Sequence, residues 1–206
     1  AGAIYAENEA LRWLSDLAGL PEGAGGVFVQ GGTLGNLSAL VAARHDALAR
    51  RGGERPARWV VVGSAEAHSS LQHASRVMDV DVLKVPSDDM GRLTGERLEE
   101  ALAAREDDDV FAVVATGGTT NYGVVDDLEG VAEVAARRGV WMHVDGAYGL
   151  AALAAPSVRS LFNGIEHADS FIVDPHKWLF APFDACALLY RDPELARAAH
   201  TQHAGY

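Results

Sequence analysis

VFAVVATGGTTN, residues 110–121, runs six apolar residues straight into a bend of glycine and threonine. A strand with one wet face alternates apolar and polar side chains. A continuous apolar run is what a strand carries when helices cover both of its faces, as in a largely parallel sheet. Further runs of this kind predict strands at 27–30, 59–63, 80–85, 140–145, 170–174 and 185–191, which with 110–116 makes seven. Helical patterns fall between them at Leu34 to Arg50, Ser69 to Met78, Gly95 to Arg105 and Leu128 to Arg138. The last of these aligns Leu128, Val131, Ala132 and Ala135 on one stripe. Another, AENEALRWLSDLAGL, opens the chain with Leu11, Leu14 and Leu17 near helical spacing. The alternation reads as one α/β domain, with no linker long enough to divide it and no internal repeat. DDD at 107–109 reads as a solvated loop before a strand.

The 206 residues are 49% hydrophobic, enough to bury a substantial core. Seventeen basic against 29 acidic residues give a formal net charge of −12, which disfavours nucleic acid or an anionic membrane as partner. The sequence shows neither an apolar stretch long enough to span a bilayer nor a leader peptide, so the expected compartment is the cytoplasm. The single cysteine, Cys186, excludes an intrachain disulfide and reads as a small buried apolar residue. The eight histidines show no zinc-ligand spacing, and no metal is expected. The chain begins at Ala1 and stops at HAGY without a terminator, so it is expected to be part of a longer protein.

In parallel sheets, ligands collect beyond the carboxyl ends of the strands, and polar clusters follow the runs here. QGGTLGN (30–36) ends one strand and opens a helix, so backbone N–H groups around Gly32 and Thr33 could cradle a phosphate. The same stretch is equally a glycine turn with Thr33 as a helix cap. Asp145, at the end of VWMHV, could hold a cationic ring nitrogen or serve the turn, and Tyr148 just beyond it reads as packing. His68 could stack on a planar ligand, move a proton, or simply be packed and hydrogen-bonded. Thr119 and Thr120 could donate hydrogen bonds from their loop or belong to an ordinary turn. In DPHKWL (174–179) a lysine follows an apolar strand into what reads as interior, with Trp178, Leu179 and Phe180 behind it. A desolvated Lys177 amine is suited to a Schiff base with an aldehyde, and the competing reading is a lysine stem lying along an apolar shelf. His176 could touch a phosphate or brace the turn. A phosphate cradle, a carboxylate for a ring nitrogen, a histidine to stack and a reactive lysine are together what pyridoxal 5′-phosphate asks of a protein.

With these features the sequence resembles the group II pyridoxal-phosphate-dependent amino-acid decarboxylases, which include the aromatic-L-amino-acid and glutamate enzymes. The resemblance is carried in family order by GGTLGNLSALVAAR (31–44), AHSSLQHASRV (67–77), ATGGTTNYGVVDDL (115–128), WMHVDGAYG (141–149) and ADSFIVDPHKWLFAPFDACALLYRD (168–192). It implies the large domain of an aspartate-aminotransferase-like fold, fold type I, with a mixed, mostly parallel seven-stranded sheet. Residues 1–206 would be that cofactor-binding domain, without the family's N-terminal segment and C-terminal small domain. The implied activity is decarboxylation of an L-amino acid to an amine and CO₂, in a parent enzyme that works as a homodimer. Lys177 would form the Schiff base, Asp145 would pair with the ring nitrogen, and Gly32 and Thr33 would contact phosphate. His68 would stack on the ring, Ala147 would lie against its other face, Thr120 would sit near its phenolic oxygen, and His176 would neighbour lysine and phosphate.

The isolated chain is expected to have little or no activity. Alternatives are an aminotransferase, aldolase or lyase built on the same fold, and an inactive truncated domain. Two positions depart from the family pattern. Gly146 stands where many members have alanine. Asp174 stands where some have asparagine, and its carboxylate would repel a phosphate unless solvated or protonated.

Overall fold

The computed structural model describes residues 2–105 and 109–201. Among these, seven strands form one sheet: β1 (Gly25–Val29), β2 (Val60–Ser64), β3 (Asp81–Val85), β4 (Val110–Thr116), β5 (Trp141–Asp145), β6 (Ser170–Val173) and β7 (Cys186–Tyr190). Their spatial order is β1-β7-β6-β5-β4-β2-β3. The five strands from β6 to β3 run parallel, and β7 pairs antiparallel with both β6 and β1. The sheet is therefore mixed and mostly parallel, as the continuous apolar runs require.

Six α-helices are described: α1 (Gly2–Ala18), α2 (Gly32–Arg50), α3 (Ser69–Met78), α4 (Gly95–Ala103), α5 (Leu128–Arg138) and α6 (Pro193–His200). Their ends follow local chemistry. Asp127 caps α5 by accepting from Gly130 N at 3.1 Å, and Gly139 ends it in the left-handed region at φ 64°. Thr94 caps α4 in the same way through Arg97 N. Two core layers result. Leu40 of α2, Leu71 of α3 and Ala196 of α6 pack with Val61, Phe111, Ile172 and Leu188 on one face of the sheet. On the other face, Leu14 of α1, Leu98 of α4 and Val131 of α5 pack with Val113, Val144 and Phe171.

Helix α2 positions the site. It leaves the edge strand β1 yet lies over β6 and β5, close enough that a Cβ at Gly35 would come within 2.8 Å of Ile172 Cγ2 and 2.9 Å of Cys186 Sγ. Only glycine permits that approach, which carries the start of α2 to the carboxyl ends of the central strands. Cys186 is free and fully buried, as its small apolar character predicts.

Three differences from the sequence reading have physical causes. Residues 149–167 form three 3₁₀ segments, Gly149–Ala154, Pro156–Phe162 and Ile165–His167, in a stretch of alanine, glycine and proline with no strong period. Helix α6 was not anticipated, and α4 stops short of Arg105. Asp109 is not solvated: it is buried and pairs with Arg105 at 2.6 Å, while Asp107 and Asp108 lie outside the described residues. No helix among the described residues is long and apolar enough to cross a membrane, and none of their His, Cys, Asp and Glu side chains group to hold a metal ion.

Candidate functional site

Beyond the carboxyl ends of β4 and β5 lies a cavity of about 340 Å³, within the usual range for small-molecule sites. Its wall includes Gly32 and Thr33 from the start of α2, His68 from the start of α3, Thr120 from the loop after β4, Asp145 and Ala147 from the end of β5, and Lys177. Seven of the eight residues singled out in the sequence thus share one cavity. A wider, shallower hollow of about 610 Å³ lies at the opposite, amino end of β5, against Arg50, Trp141, Asp169 and Arg191. The larger volume is not the better site, because strand amino ends gather neither helix N-termini nor the residues singled out above.

Asp145 is 8% exposed and has both carboxylate oxygens engaged: Oδ2 accepts from Asn36 Nδ2 at 2.8 Å and Oδ1 from Ala147 N at 3.2 Å. Each oxygen retains acceptor capacity toward the cavity. Gly31 precedes helix α2 in the cap position, where its φ of 83° suits glycine and it offers no side chain to cap the helix. The first-turn N–H groups of Gly32 and Thr33 have no partner within the helix, which makes this end a natural anion site. Thr33 therefore lies inside the helix and is not its cap. A Cβ at Gly32 would come within 3.1 Å of Asp174 Oδ2 and 3.4 Å of the Ala147 Cβ, so this wall stays open because position 32 has no side chain.

Lys177 Nζ pairs with Asp174 Oδ2 at 2.9 Å. The lysine is less enclosed than its neighbours imply, with 39% of its side chain exposed, whereas the Asp174 side chain is 1% exposed. Trp178 and Phe180 are themselves exposed and form a rim instead of a core. Tyr148 belongs to this rim, half-exposed and stacked on Trp178 with ring centroids 5.0 Å apart. Asp174 is neither solvated nor isolated, since the lysine ammonium balances its charge, although its Oδ1 has no hydrogen-bond partner.

His68 caps α3, with Nδ1 accepting from Ser70 N at 3.2 Å. Thr119 is a turn residue: its N–H donates to Val124 O and its hydroxyl accepts from Val124 N. His176 does not line the cavity; its Nδ1 lies 2.7 Å from Ala185 O and 3.0 Å from Ala185 N, so it braces the turn after Lys177. The loop after β4 is anchored by Asp126, which accepts from Thr116 N and Leu93 N at 2.7 Å each. Burial pushes the Asp126 carboxyl up to about 6, against the opposing hydrogen bonds.

Sequence reasoning missed Asn36, which lines the cavity, and the polar residues behind it. Asn36 joins Asp145 to His143, whose Nε2 is 2.8 Å from Asn36 Oδ1. His143 Nδ1 lies 2.8 Å from Ser170 Oγ, which accepts from Trp141 Nε1 at 2.9 Å. The signal was present in WMHVD: positions 141, 143 and 145 share one face of a strand, and two of them are polar in a fully buried element. Thr116 was also missed. It lines the cavity, and its buried Oγ1 has no hydrogen-bond partner.

The family model described as "Pyridoxal-dependent decarboxylase conserved domain" matches residues 3–206. An aromatic-L-amino-acid decarboxylase of Bacillus atrophaeus is 34% identical over 201 residues, covering 94% of this chain and 41% of that protein. An L-2,4-diaminobutyrate decarboxylase of Rhizobium meliloti (strain 1021) is 40% identical over 195 residues, covering 92% of this chain and 38% of that protein. The crystal structure of Oryza sativa TDC with PLP and tryptamine matches at a TM-score of 0.89 and 34% identity, covering 97% of this chain and 44% of that one. The chain spans about two fifths of the length of the curated relatives it matches.

Proposed function

The chain belongs to the pyridoxal-dependent decarboxylase family, and from that premise we propose that residues 1–206 are the cofactor-binding large domain of a longer enzyme that converts an L-amino acid to its amine and CO₂. One observation carries the reading: Lys177, Asp145 and the uncapped start of α2 meet in a single cavity. The residues present fit pyridoxal 5′-phosphate. The side-chain-free wall at Gly32 leaves room for a phosphate, the Asp145 oxygens have capacity for a ring N–H, and the unpartnered Thr116 hydroxyl offers a further donor.

When bound, this cofactor supplies an electron sink for the pair left as the substrate's carboxylate departs as CO₂. The chain's own residues do the rest. Lys177 Nζ is the amine that would hold the cofactor through its aldehyde, and Asp145 would keep the proton on the ring nitrogen by placing a carboxylate beside it. Gly32 and Thr33 hold the phosphate with backbone N–H groups and the positive end of α2. His68 covers one ring face. Because its Nδ1 accepts from Ser70 N, the ring hydrogen sits on Nε2, which is the nitrogen left to donate. Ala147, being small, would leave room for the ring on the other side, and Thr120 would stand near its phenolic oxygen. His176 acts through the turn that presents Lys177.

The parent enzyme works as a homodimer in the cytoplasm. Tyr122, Phe180 and Phe183 are each at least 79% exposed, large aromatic side chains of the kind a second subunit would cover. One buried free thiol suits a reducing compartment. The amino-acid substrate is a small molecule whose side chain meets residues outside this domain.

Incubating the chain with pyridoxal 5′-phosphate, reducing with borohydride and mapping the adduct should locate it on Lys177. An adduct elsewhere, with Lys177 untouched, refutes the site. Product analysis of the full-length enzyme separates the decarboxylase, giving amine and CO₂, from an aminotransferase, giving a keto acid. The 206-residue chain alone should show little or no turnover.

A further inference from the structure

The hydrogen bonds behind Asp145 have a direction, and the two ends of the chain fix it. Trp141 Nε1–H can only donate, and it donates to Ser170 Oγ at 2.9 Å. Asp145, as a carboxylate, can only accept, and it accepts from Asn36 Nδ2 at 2.8 Å. Asn36 must therefore present its amide nitrogen to Asp145 and its Oδ1 to His143. The reversed amide would set an oxygen against the carboxylate oxygen at 2.8 Å.

The same Nδ2 also lies 2.8 Å from Ser70 Oγ, so both of its hydrogens have acceptors. With Asn36 Oδ1 facing it, His143 Nε2 must carry the proton, and the bare Nδ1 takes the Ser170 hydroxyl hydrogen. Ser170 and His143 are fully buried and Asn36 is only 3% exposed, so water does not offer His143 an alternative partner. Complete burial pushes the His143 imidazole down to about 3, with the Ser170 backbone opposing in part. The ring is thus neutral, with one tautomer compatible with its neighbours.

We propose that His143 and Asn36 are positioning residues that lock the Asp145 carboxylate in the orientation that receives the cofactor's ring nitrogen, by a one-way hydrogen-bond chain that starts at Trp141. This rests on the proposed cofactor site. His143 touches neither cavity nor cofactor; it holds Asn36 from flipping, and Asn36 holds Asp145. Without the imidazole N–H, the Asn36 amide loses one of the three partners that hold its orientation and the only one on its oxygen, and a flipped amide repels the carboxylate it now supports. The arrangement also explains why positions 143 and 145 are polar in an otherwise apolar buried strand.

The test has two arms. Imidazole ¹⁵N NMR of the cofactor-free chain should show one histidine with its proton fixed on Nε2 and no titration from pH 5 to 8. A His143 ring protonated on Nδ1, or one that titrates in that window, overturns the chain's polarity. In the second arm, pyridoxal 5′-phosphate affinity and the pH dependence of its bound absorbance are compared among the wild type, His143→Gln, His143→Leu and Asn36→Asp. Glutamine can donate to Asn36 and accept from Ser170, so His143→Gln should bind within a few fold of wild type. His143→Leu and Asn36→Asp should bind roughly tenfold or more weakly, the scale of losing a buried hydrogen-bond partner. Their bound absorbance should titrate at a shifted pH, which a loss of fold stability alone would not produce. Equal affinity and an unshifted profile in both variants overturn the role of His143 and Asn36 alone. A wild-type chain that captures no cofactor on Lys177 overturns the function reading, and this role with it.

Discussion

Removing the amine of Lys177 should destabilise the cofactor-free chain through Asp174. The carboxylate is 1% exposed, its Oδ2 pairs with Lys177 Nζ at 2.9 Å, and its Oδ1 has no hydrogen-bond partner. At that separation the attraction is about 1.4 kcal/mol in a water-like medium and about 6 kcal/mol at an effective dielectric of 20. Lys177 is 39% exposed, which places the pair toward the lower end. Breaking a fully buried pair costs about 3–5 kcal/mol, chiefly because a charge is left behind without a partner. Lys177→Met should therefore cost roughly 2–3 kcal/mol, read as a lower urea midpoint at unchanged slope. Asp174→Asn should cost less, since an amide needs no counter-charge. The double variant should lie within about 1 kcal/mol of Asp174→Asn alone, giving a coupling of roughly 2 kcal/mol in the double-mutant cycle. A Lys177→Met chain within about 0.5 kcal/mol of the parent, or two costs that simply add, would refute the reasoning.

Further outcomes follow from other parts of the site. A Cβ at Gly146 would come within 2.0 Å of Leu150 Cγ, so Gly146→Ala should cost about 1–3 kcal/mol by overpacking. In urea titrations, adding Gly146→Ala to a Leu150→Ala background should cost less than in the parent but not nothing, because the Cβ that alanine keeps at position 150 still lies 2.7 Å away. The folded-state pKa of Asp126, about 6, lies above its unfolded value of 3.8. Its contribution is present below the unfolded value and lost as pH rises through about 6, a change of roughly 3 kcal/mol. Asp126→Asn should flatten the pH dependence of stability between pH 4 and 6, and an unchanged pH profile would reject this. Thr116→Val removes a buried hydroxyl without a partner, so it should leave the cofactor-free chain equally stable or about 1 kcal/mol more stable. The same variant should weaken pyridoxal 5′-phosphate capture in an absorbance titration, and unchanged capture would show that the hydroxyl makes no contact with the cofactor.

The strands were legible because burial on both faces imposes a continuous apolar run, which few other elements show. The site was legible because strand carboxyl ends collect ligands, and motifs scattered over about 150 residues of sequence converge there. What remained hidden depends on three-dimensional neighbours. Asn36 reads as one helical polar residue among many until α2 is seen lying over β5. The setting of Lys177 was misread because Trp178, Leu179 and Phe180 have a core composition, while the topology leaves two of these aromatic side chains at the rim. His176 and Lys177 are adjacent in sequence, yet the turn sends one to the cavity and the other to Ala185. Gly146 looked like a minor departure from alanine until Leu150 proved to occupy the space a methyl group would need.

The pairing of β1 with β7 sets a constraint on synthesis. Gly25 lies opposite Tyr190, so β1 finds its partner in the sheet only about 160 residues later in synthesis. Until then its edge is open, with Val27 and Phe28 available to any passing strand. The cradle at residues 30–36 cannot be completed earlier either, because α2 rests on β5, β6 and β7. Such non-local closure folds slowly and leaves a long interval in which the nascent chain can aggregate. Expression at reduced temperature or with added chaperone capacity should therefore raise the soluble yield of this domain more than changes to its surface would.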